Sequence, residues 1–239
     1  MPIESVDRSA VDVFLKSWQV YQDIIQHNYM FHQEISRTVR DALERFKPGQ
    51  SLSVLDLGCG DGSMTLPLLP ANRIATYTGC DLSKPALDLA QRQLERLNIQ
   101  STLVCDDMLK VVAEQPEQSV DLVFSSYAIH HLNANNKQRL VEHTSRALTP
   151  GGQFVLIDIF RDPTEDRAAY MRHYMDVLRK TWLKLSPQAQ ALVVNHATEY
   201  DFPEQPAFYQ TLGYKLGLDS GQRLAKHTWH EAWLFTRVS

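Results

Sequence analysis

Residues 54–62 read V-L-D-L-G-C-G-D-G, an apolar run that ends in a carboxylate and then in glycines at alternate positions. An apolar run bounded by turn residues predicts a buried strand, and Gly58 and Gly60 permit positive φ and close approach of a ligand to the backbone. Asp56 brings a negative charge to the end of this strand. A carboxylate suits a cationic group, whereas a phosphate binder needs bare N–H groups. The stretch therefore predicts the first strand and the ligand loop of a nucleotide-type pocket.

The glycine pattern argues against a nicotinamide dinucleotide. The fingerprint G-x-G-x-x-G requires a third glycine at position 63, where this chain has Ser63. Together with the charge of Asp56, this favours S-adenosylmethionine, whose sulfonium and ammonium groups are cationic, over NAD. An NAD-linked oxidoreductase is the disfavoured alternative.

Three further segments carry strand-like runs that lead into polar residues. Residues 76–81 (T-Y-T-G-C-D) end in an acid about 20 residues past the glycines, as a ribose-binding carboxylate requires. Residues 102–107 (T-L-V-C-D-D) end in two acids. Residues 120–132 run into a histidine-bearing turn, and a fifth strand is predicted over residues 153–159. The alternation of these runs with helical patterns predicts a parallel, doubly wound sheet.

In this order, VLDLGCGDG, YTGCDLS, CDDML, SVDLVFSSYAIHHL and ALTPGGQFVLID resemble the class I S-adenosylmethionine-dependent methyltransferases, particularly the small-molecule branch. The resemblance covers residues 51–159. It implies a Rossmann-like α/β fold with seven strands, mostly parallel, in which the last strand is antiparallel. It also implies S-adenosylmethionine as cofactor and S-adenosylhomocysteine as product.

The resemblance assigns the polar end of the cofactor to the first two strand ends. Asp56 and the backbone of Gly58, Cys59 and Gly60 would hold the methionine amino end. Asp81 would hold the ribose, because one carboxylate can accept hydrogen bonds from both hydroxyls.

The resemblance places the adenine at the third strand and the methionyl part beside the fourth. Asp106 would face the adenine amino group, and the Asp107 N–H would lie near a ring nitrogen. Leu82 and Met108 would sandwich the ring, and Ser125 would lie beneath the methionyl part through its backbone.

Helical segments flank this core. Apolar residues recur at helical spacing over residues 10–46, beginning near Phe14, and predict two helices that stop at Pro48. Residues 163–185 and 187–197 predict two helices inserted after strand five, which would form a lid with the N-terminal helices. The predicted division is 1–48 helical cap, 49–160 cofactor-binding core, 161–200 lid insert, and 201–239 helix and hairpin completing the core.

The end of the chain predicts a further helix and an antiparallel hairpin. The helix is expected over residues 203–212. The hairpin is expected to pair residues 214–218 with 227–238, with a turn at Asp219-Ser220-Gly221.

Aromatic side chains in both helical segments are candidates for ligand contact. Tyr21 and Tyr29 could cover a sulfonium with their ring faces. The aromatic face of the insert is the candidate for acceptor recognition: Tyr170, His173, Tyr174 and Trp182. Ordinary packing of amphipathic helices predicts the same aromatic residues.

The candidate catalytic residues are His130, His131 and Asp158. Methyl transfer needs chiefly positioning, and a base only where the acceptor must lose a proton. The two histidines follow strand four and the aspartate ends strand five, so an imidazole and a carboxylate could converge on the acceptor. A turn whose rings pack or bind backbone explains the histidines equally well. No metal site is expected, because adjacent histidines rarely converge on one ion without further ligands.

Composition limits the partners. The formal net charge is −4 over 239 residues, and no Lys/Arg-rich run is present, so nucleic acid is disfavoured. The residues S-S-Y-A after strand four also differ from the N-P-P-Y signature of base-amino methyltransferases. With neither an 18-residue apolar stretch nor a charged-then-apolar leader, we expect no membrane association and a cytoplasmic location. The oligomeric state stays open, a homodimer included.

The sequence thus predicts an S-adenosylmethionine-dependent methyltransferase acting on a hydroxyl or amine of a small-molecule acceptor. Two alternatives remain. One is a sensor or scaffold that binds S-adenosylmethionine without methyl transfer. The other is an enzyme that uses a modified donor, such as a carboxylated sulfonium, which would need an extra cation near the methyl position.

Overall fold

The fold is a single seven-stranded sheet flanked by helices. The computed structural model describes residues 18–238, and its strands follow the order β3-β2-β1-β4-β5-β7-β6. The strands are β1 (Leu52–Leu57), β2 (Ile74–Cys80), β3 (Ser101–Val104), β4 (Val120–Ser126), β5 (Leu148–Ile159), β6 (Gln222–His227) and β7 (His230–Thr236). β1 to β5 pair in parallel, and β7 pairs antiparallel with both β5 and β6. The predicted sheet, including its antiparallel last strand, is confirmed.

The helices occupy both ends of the chain and the connections between strands. They are α1 (Trp18–Gln26), α2 (His32–Glu44), α3 (Lys84–Arg96), α4 (Met108–Glu114), α5 (Ala134–Ala147), α6 (Arg167–Thr181), α7 (Pro187–Tyr200) and α8 (Pro206–Lys215). Of the helical stretch predicted over 10–46, residues 10–17 with Phe14 lie outside the described residues. α6 and α7 are the inserted helices predicted after strand five. Each helix between residues 18 and 238 is too short or too polar to cross a bilayer.

The core explains why β1 reads as an apolar run. Parallel strands covered by helices on both faces are buried on both sides. Leu52, Leu55 and Leu57 of β1 are fully buried, and α2 places Ile35, Val39 and Leu43 into the core at helical spacing. The strand ends, where polar residues interrupt this apolar pattern, are thereby held on a rigid frame.

The connection from β1 to β2 has no α-helix. Residues after the glycine loop form only two short 3₁₀ turns, Leu66–Leu68 and Ala71–Arg73. Pro67 lies in the first turn and Pro70 precedes the second. Proline lacks an N–H and clashes with the preceding helical turn, so these two residues disfavour an α-helix in this connection.

The predicted position of the C-terminal hairpin is wrong. Residues Tyr214 and Lys215 continue α8, and Leu218 makes only an isolated bridge to Arg237. The hairpin instead pairs β6 with β7 through a turn at residues 228–229, where Thr228 has a φ of 54°. The glycine at 221 marks the connection between α8 and β6, so its turn signal was assigned to the wrong pair of elements.

Candidate functional site

One large cavity opens at the carboxyl ends of the parallel strands. This is where ligands bind in doubly wound sheets. Its wall combines the loops after β1 to β4 with α1 and the inserted helices. The wall includes Val20, Tyr21, Met30, Gly58, Gly60, Asp81, Leu82, Asp106, Asp107, Met108, Ser126, Tyr127, His130, His131, Tyr174, Trp182, Leu192, Val193, His196 and Asp201.

The glycine loop is built by hydrogen bonds to the neighbouring strand. The N–H groups of Gly58 and Cys59 donate to the Cys80 carbonyl at 2.9 Å, and the Gly60 N–H donates to Asp81 Oδ2 at 2.9 Å. Gly58 and Gly60 have φ values of 72° and 55°. A Cβ on Gly58 would lie 2.4 Å from the Ala128 Cβ, whereas a Cβ on Gly60 would meet no protein atom within 4 Å. Gly58 is thus required for packing, and Gly60 leaves space for a ligand.

Asp56 lies behind this loop. Together with Cys59 it lines a smaller cavity that shares Tyr21, Gly60 and other residues with the large one. Its side chain is almost fully buried, and the Tyr77 hydroxyl donates to Oδ2 at 2.6 Å. Burial raises the pKa of Asp56 to about 6, although hydrogen bonds oppose the shift. The hydrogen bonds of the protein do not fully offset the cost of burying this negative charge, so the site favours a cationic ligand.

The carboxylates at the ends of β2 and β3 differ in the hydrogen bonds and ion pairs that they make within the protein. Asp81 accepts from the Gly60 N–H and from the Ser83 N–H at 2.8 Å, while burial raises its pKa. Asp106 pairs with Lys110 and accepts the Asp107 N–H at 2.8 Å. The Asp107 N–H, expected near an adenine nitrogen, therefore has an intramolecular acceptor. The Asp81 carboxylate, which accepts the Gly60 and Ser83 N–H groups, keeps lone pairs for further donors.

Three of the predicted site residues do not line either cavity. The Ser125 hydroxyl is buried and donates to the Leu57 carbonyl at 2.8 Å, while the next residue, Ser126, lines both cavities. Tyr29 stacks on Trp182, and its hydroxyl accepts the Lys184 N–H at 2.9 Å. Asp158 lies behind His130. The other predicted residues line one or both cavities: Tyr21, Asp56, Gly58, Cys59, Gly60, Asp81, Leu82, Asp106, Asp107, Met108, His130 and His131.

A histidine–aspartate cluster, made of His130, His131, His196 and Asp201, forms another part of the large cavity wall. Asp201 Oδ1 lies 3.5 Å from His130 Nε2, 3.3 Å from His131 Nδ1 and 3.9 Å from His196 Nε2. His130 is also fixed from behind, because its Nδ1 is hydrogen-bonded to Asp158 and its backbone N–H donates to Asp158 Oδ2 at 2.9 Å. His131 is the more exposed of the two adjacent rings.

The histidines and carboxylates of this cluster shift one another's pKa values. Burial would lower the pKa of His130, but the negative charges of Asp158 and Asp201 outweigh it and raise the pKa. Burial would likewise raise the pKa of Asp201, but His130 and His131 hold it below its ordinary value. His196 behaves differently: burial, together with repulsion from His131, lowers its pKa to about 4. The cluster therefore contains one imidazole that stays neutral at physiological pH.

Four hydrogen bonds to the backbone of residues 201–203 hold Asp201 at the cluster. The Phe202 N–H donates to the His130 carbonyl at 2.8 Å. Lys137, which is fully buried, donates to the Phe202 carbonyl, and Arg161 Nε donates to the Pro203 carbonyl at 2.6 Å. Arg167 Nε donates to the Asp201 carbonyl at 2.8 Å. Burial lowers the pKa of Lys137 to about 8.

The inserted helices supply the apolar part of the wall. Tyr174 and Trp182 line the cavity as candidates for acceptor contact. Tyr170 is fully buried in the core, and His173 is largely exposed beside Glu165, so neither reaches the cavity. Among the described residues that line the cavity, none is a lysine or an arginine.

Sequence reasoning missed Asp201, His196 and Ser126. The first two are about 65 to 70 positions from the adjacent histidines, and neither carries a local motif. Asp201 and His196 bring further groups that could ligate an ion beside the two adjacent histidines. His130, His131 and Asp201 offer nitrogen and oxygen atoms that all lie within 4.8 Å of one another.

The cofactor-side residues fit S-adenosylmethionine. Gly60 faces open space, and the Ser126 Oγ is enclosed without a hydrogen-bond partner in the described chain. Carboxylates at the ends of β1 and β2 suit an ammonium and ribose hydroxyls, while Leu82 and Met108 offer apolar contact to a base.

Comparison with known proteins agrees with this chemistry. The methyltransferase domain family matches residues 54–152. Carboxy-S-adenosyl-L-methionine synthase from Actinobacillus succinogenes is 29% identical over 162 residues, which are 65% of this chain and 65% of that protein. An uncharacterized methyltransferase from Geobacillus thermodenitrificans is 28% identical over 201 residues, 81% of this chain and 87% of that protein.

Solved structures share the fold. The 1,6-didemethyltoxoflavin-N1-methyltransferase of Burkholderia thailandensis, with bound 1,6-didemethyltoxoflavin and S-adenosylhomocysteine, aligns with a TM-score of 0.62. The alignment covers 100% of this chain and 92% of that one, at 15% sequence identity. At this identity the likeness concerns the fold.

Two variants test the assignment of Gly58 to packing and of Gly60 to ligand space. Gly60→Ala is expected to lower the free energy of unfolding by only about 1–2 kcal/mol, the cost of a left-handed alanine. It should weaken S-adenosylhomocysteine binding about tenfold or more, because its Cβ fills ligand space. Gly58→Ala should destabilise more, since its Cβ also meets Ala128. Urea unfolding and calorimetric titration measure both effects, and wild-type affinity in Gly60→Ala would contradict the assignment.

The pKa of Asp56 predicts a pH dependence of cofactor binding. The ionised carboxylate attracts a cationic amino end, and protonation removes that charge. Affinity for S-adenosylhomocysteine should therefore be constant above about pH 7 and fall by up to about tenfold per pH unit below 6. Asp56→Asn should bind more weakly at pH 7.5 and lose the inflection near pH 6. An unchanged inflection in this variant would show that another group titrates.

Proposed function

Since the chain belongs to the class I S-adenosylmethionine-dependent methyltransferases, we propose that it methylates a hydroxyl or an amine of a small-molecule metabolite. The observation that carries this proposal is that the glycine loop and the histidine–aspartate cluster line the same cavity. A donor held by the loop and an acceptor held at the cluster would share one enclosed space.

The cofactor residues would act mainly by positioning. Asp56 would attract the amino end, and Asp81, fixed by the Gly60 N–H, would accept from the ribose hydroxyls. Leu82 and Met108 would contact the adenine, with Asp106 beside its amino group. Bound S-adenosylmethionine supplies a methyl group on a cationic sulfur, which the acceptor lone pair takes as the C–S bond breaks and neutral S-adenosylhomocysteine is left.

The acceptor side would be served by the histidine–aspartate cluster. His131 is the proposed contact with the acceptor, because its ring is the more exposed of the adjacent pair and only its Nδ1 side faces Asp201. His130 is held between Asp158 and Asp201, so in this proposal both it and Asp158 are positioning residues. The cluster as a unit would receive the proton that a hydroxyl or protonated amine must lose.

The aromatic and apolar wall supports a small acceptor. Tyr174 of α6, Trp182 directly after α6, and Leu192 of α7 line the cavity. The wall offers no lysine or arginine among its described residues, which gives no support to phosphate contacts from nucleic acid or to a carboxylated donor. A protein that only binds the cofactor would have no use for a second, histidine-lined part of the same cavity.

An acceptor screen tests the proposal. Purified protein with methyl-labelled S-adenosylmethionine should form a labelled product from small molecules that carry hydroxyl or amino groups. With the acceptor found, His131→Gln should lower kcat by about 10²–10⁴-fold, as expected for loss of proton transfer. S-adenosylhomocysteine affinity should be unchanged, since His131 lies outside the glycine loop.

The matched control is His143→Gln on α5, a histidine outside the cavity wall. It should keep wild-type kcat. Labelled RNA in place of a small-molecule product, or equal kcat in His131→Gln and wild type, would overturn the proposal.

A further inference from the structure

The contacts of the Asp201 carboxylate with its three imidazole neighbours are longer than ordinary hydrogen bonds. Its Oδ1 faces three imidazole nitrogens at 3.3, 3.5 and 3.9 Å. N–H···O hydrogen bonds are normally about 2.9–3.0 Å long, so these contacts are too long for good hydrogen bonds. Asp201 is nevertheless buried, and a buried carboxylate without close donors is costly.

The two shorter distances, 3.3 and 3.5 Å, fit edges of a coordination tetrahedron. Zinc binds nitrogen and oxygen at about 2.0–2.1 Å, and tetrahedral angles then place neighbouring ligand atoms about 3.3 Å apart. His130 Nε2, His131 Nδ1 and Asp201 Oδ1 lie within 4.8 Å of one another. His131 Nδ1 also lies 3.4 Å from the Tyr200 carbonyl oxygen, a contact that metal binding would replace. We infer that these three atoms bind a divalent transition-metal ion of the Zn²⁺ or Co²⁺ class, with His196 Nε2 beside the fourth position.

The surroundings of His130 match those of a metal ligand. Its Nδ1 is hydrogen-bonded to the buried Asp158, which leaves Nε2 directed to Asp201. Ligating histidines commonly donate their other nitrogen to a carboxylate, which fixes the ring and increases its basicity. The set of imidazoles with one carboxylate favours zinc-class ions over Mg²⁺ and Ca²⁺, which prefer oxygen ligands.

The ligands come from two parts of the fold. His130 and His131 lie in the 3₁₀ turn Ile129–His131 after β4, whereas His196 lies in α7 and Asp201 directly follows it. An ion here would tie the inserted helices to the sheet. For catalysis the inference rests on the proposed function: a metal ion at the acceptor side would lower the pKa of a bound acceptor hydroxyl. The proton would then pass to solvent, because the ligating nitrogens of His130 and His131 could no longer accept it.

The test is metal binding to the whole chain without cofactor or acceptor. Chelator-treated protein is titrated with Co²⁺, and the visible d–d bands of tetrahedral cobalt are recorded. We expect one equivalent per chain, displacement by Zn²⁺, no displacement by equimolar Mg²⁺, and a higher unfolding temperature with the ion bound.

Isosteric variants locate the site. Asp201→Asn should weaken Co²⁺ binding by about 100-fold or more. Asp158→Asn, which leaves the three ligand atoms in place and alters the hydrogen bond to His130 Nδ1, should weaken it by about 10–100-fold. Asp88→Asn on the exposed face of α3 is the matched control and should bind as wild type. Retained S-adenosylhomocysteine binding shows that each variant is folded.

Absence of tetrahedral bands, or equal loss in Asp201→Asn and Asp88→Asn, would overturn the metal site. The two proposals fail separately. Full methyl transfer by metal-free protein would refute the catalytic role of the ion and leave the methyltransferase proposal intact. One tightly bound equivalent of Co²⁺ per chain without any methyl transfer would support the metal site and refute the methyltransferase proposal.

Discussion

The strand order is the constraint on which the site depends. β1 lies between β2 and β4, so the chain moves to one side of β1 first and returns to its other side later. At such a switch point the loops after the two central strands diverge and leave a crevice at the carboxyl edge. The glycine loop after β1 and the turn after β4 meet at its floor, where Gly58 faces Ala128. Tyr127, with a φ of 51°, makes the sharp turn that brings Ala128 there.

Charge is distributed unevenly along this crevice. On the cofactor side, Asp56, Asp81 and Asp106 provide carboxylates, and the wall has no lysine or arginine among its described residues. That arrangement suits a cationic ligand. Near the histidine–aspartate cluster, cationic side chains bind backbone carbonyls and do not line the cavity. Lys137, Arg161 and Arg167 bind backbone carbonyls of residues 201–203, so they hold Asp201 in place while its carboxylate faces the imidazoles.

The glycine loop and the acidic strand ends that line the cavity could be predicted from sequence because their signals are local. An apolar run, glycines at fixed spacing and acids at strand ends all lie within short segments, and parallel pairing brings them to one edge. Orientation could not be predicted in the same way. Successive strand residues point to opposite faces, and only the structure shows that Ser126, not Ser125, faces the cavity. Tyr29 was placed near the cofactor by composition alone, and its ring stacks on Trp182 instead.

The histidine–aspartate cluster depends on contacts that no local pattern encodes. Asp201 and His196 meet His130 and His131 only because the inserted helices fold back over the sheet and a clamp of three cations fixes the segment after α7. The hairpin error has a related cause: residues 214–215 extend α8, and the turn signal at 219–221 belongs to the next connection. Tertiary packing decides both cases.

The most direct test of a shared donor and acceptor cavity is a crystal structure of the protein with S-adenosylhomocysteine. We predict the adenine beside Met108, the ribose at Asp81, and the sulfur atom facing the histidine–aspartate cluster across open cavity. A sulfur atom that points away from the cluster, or is separated from it by protein side chains, would contradict the proposed methyl transfer at this site.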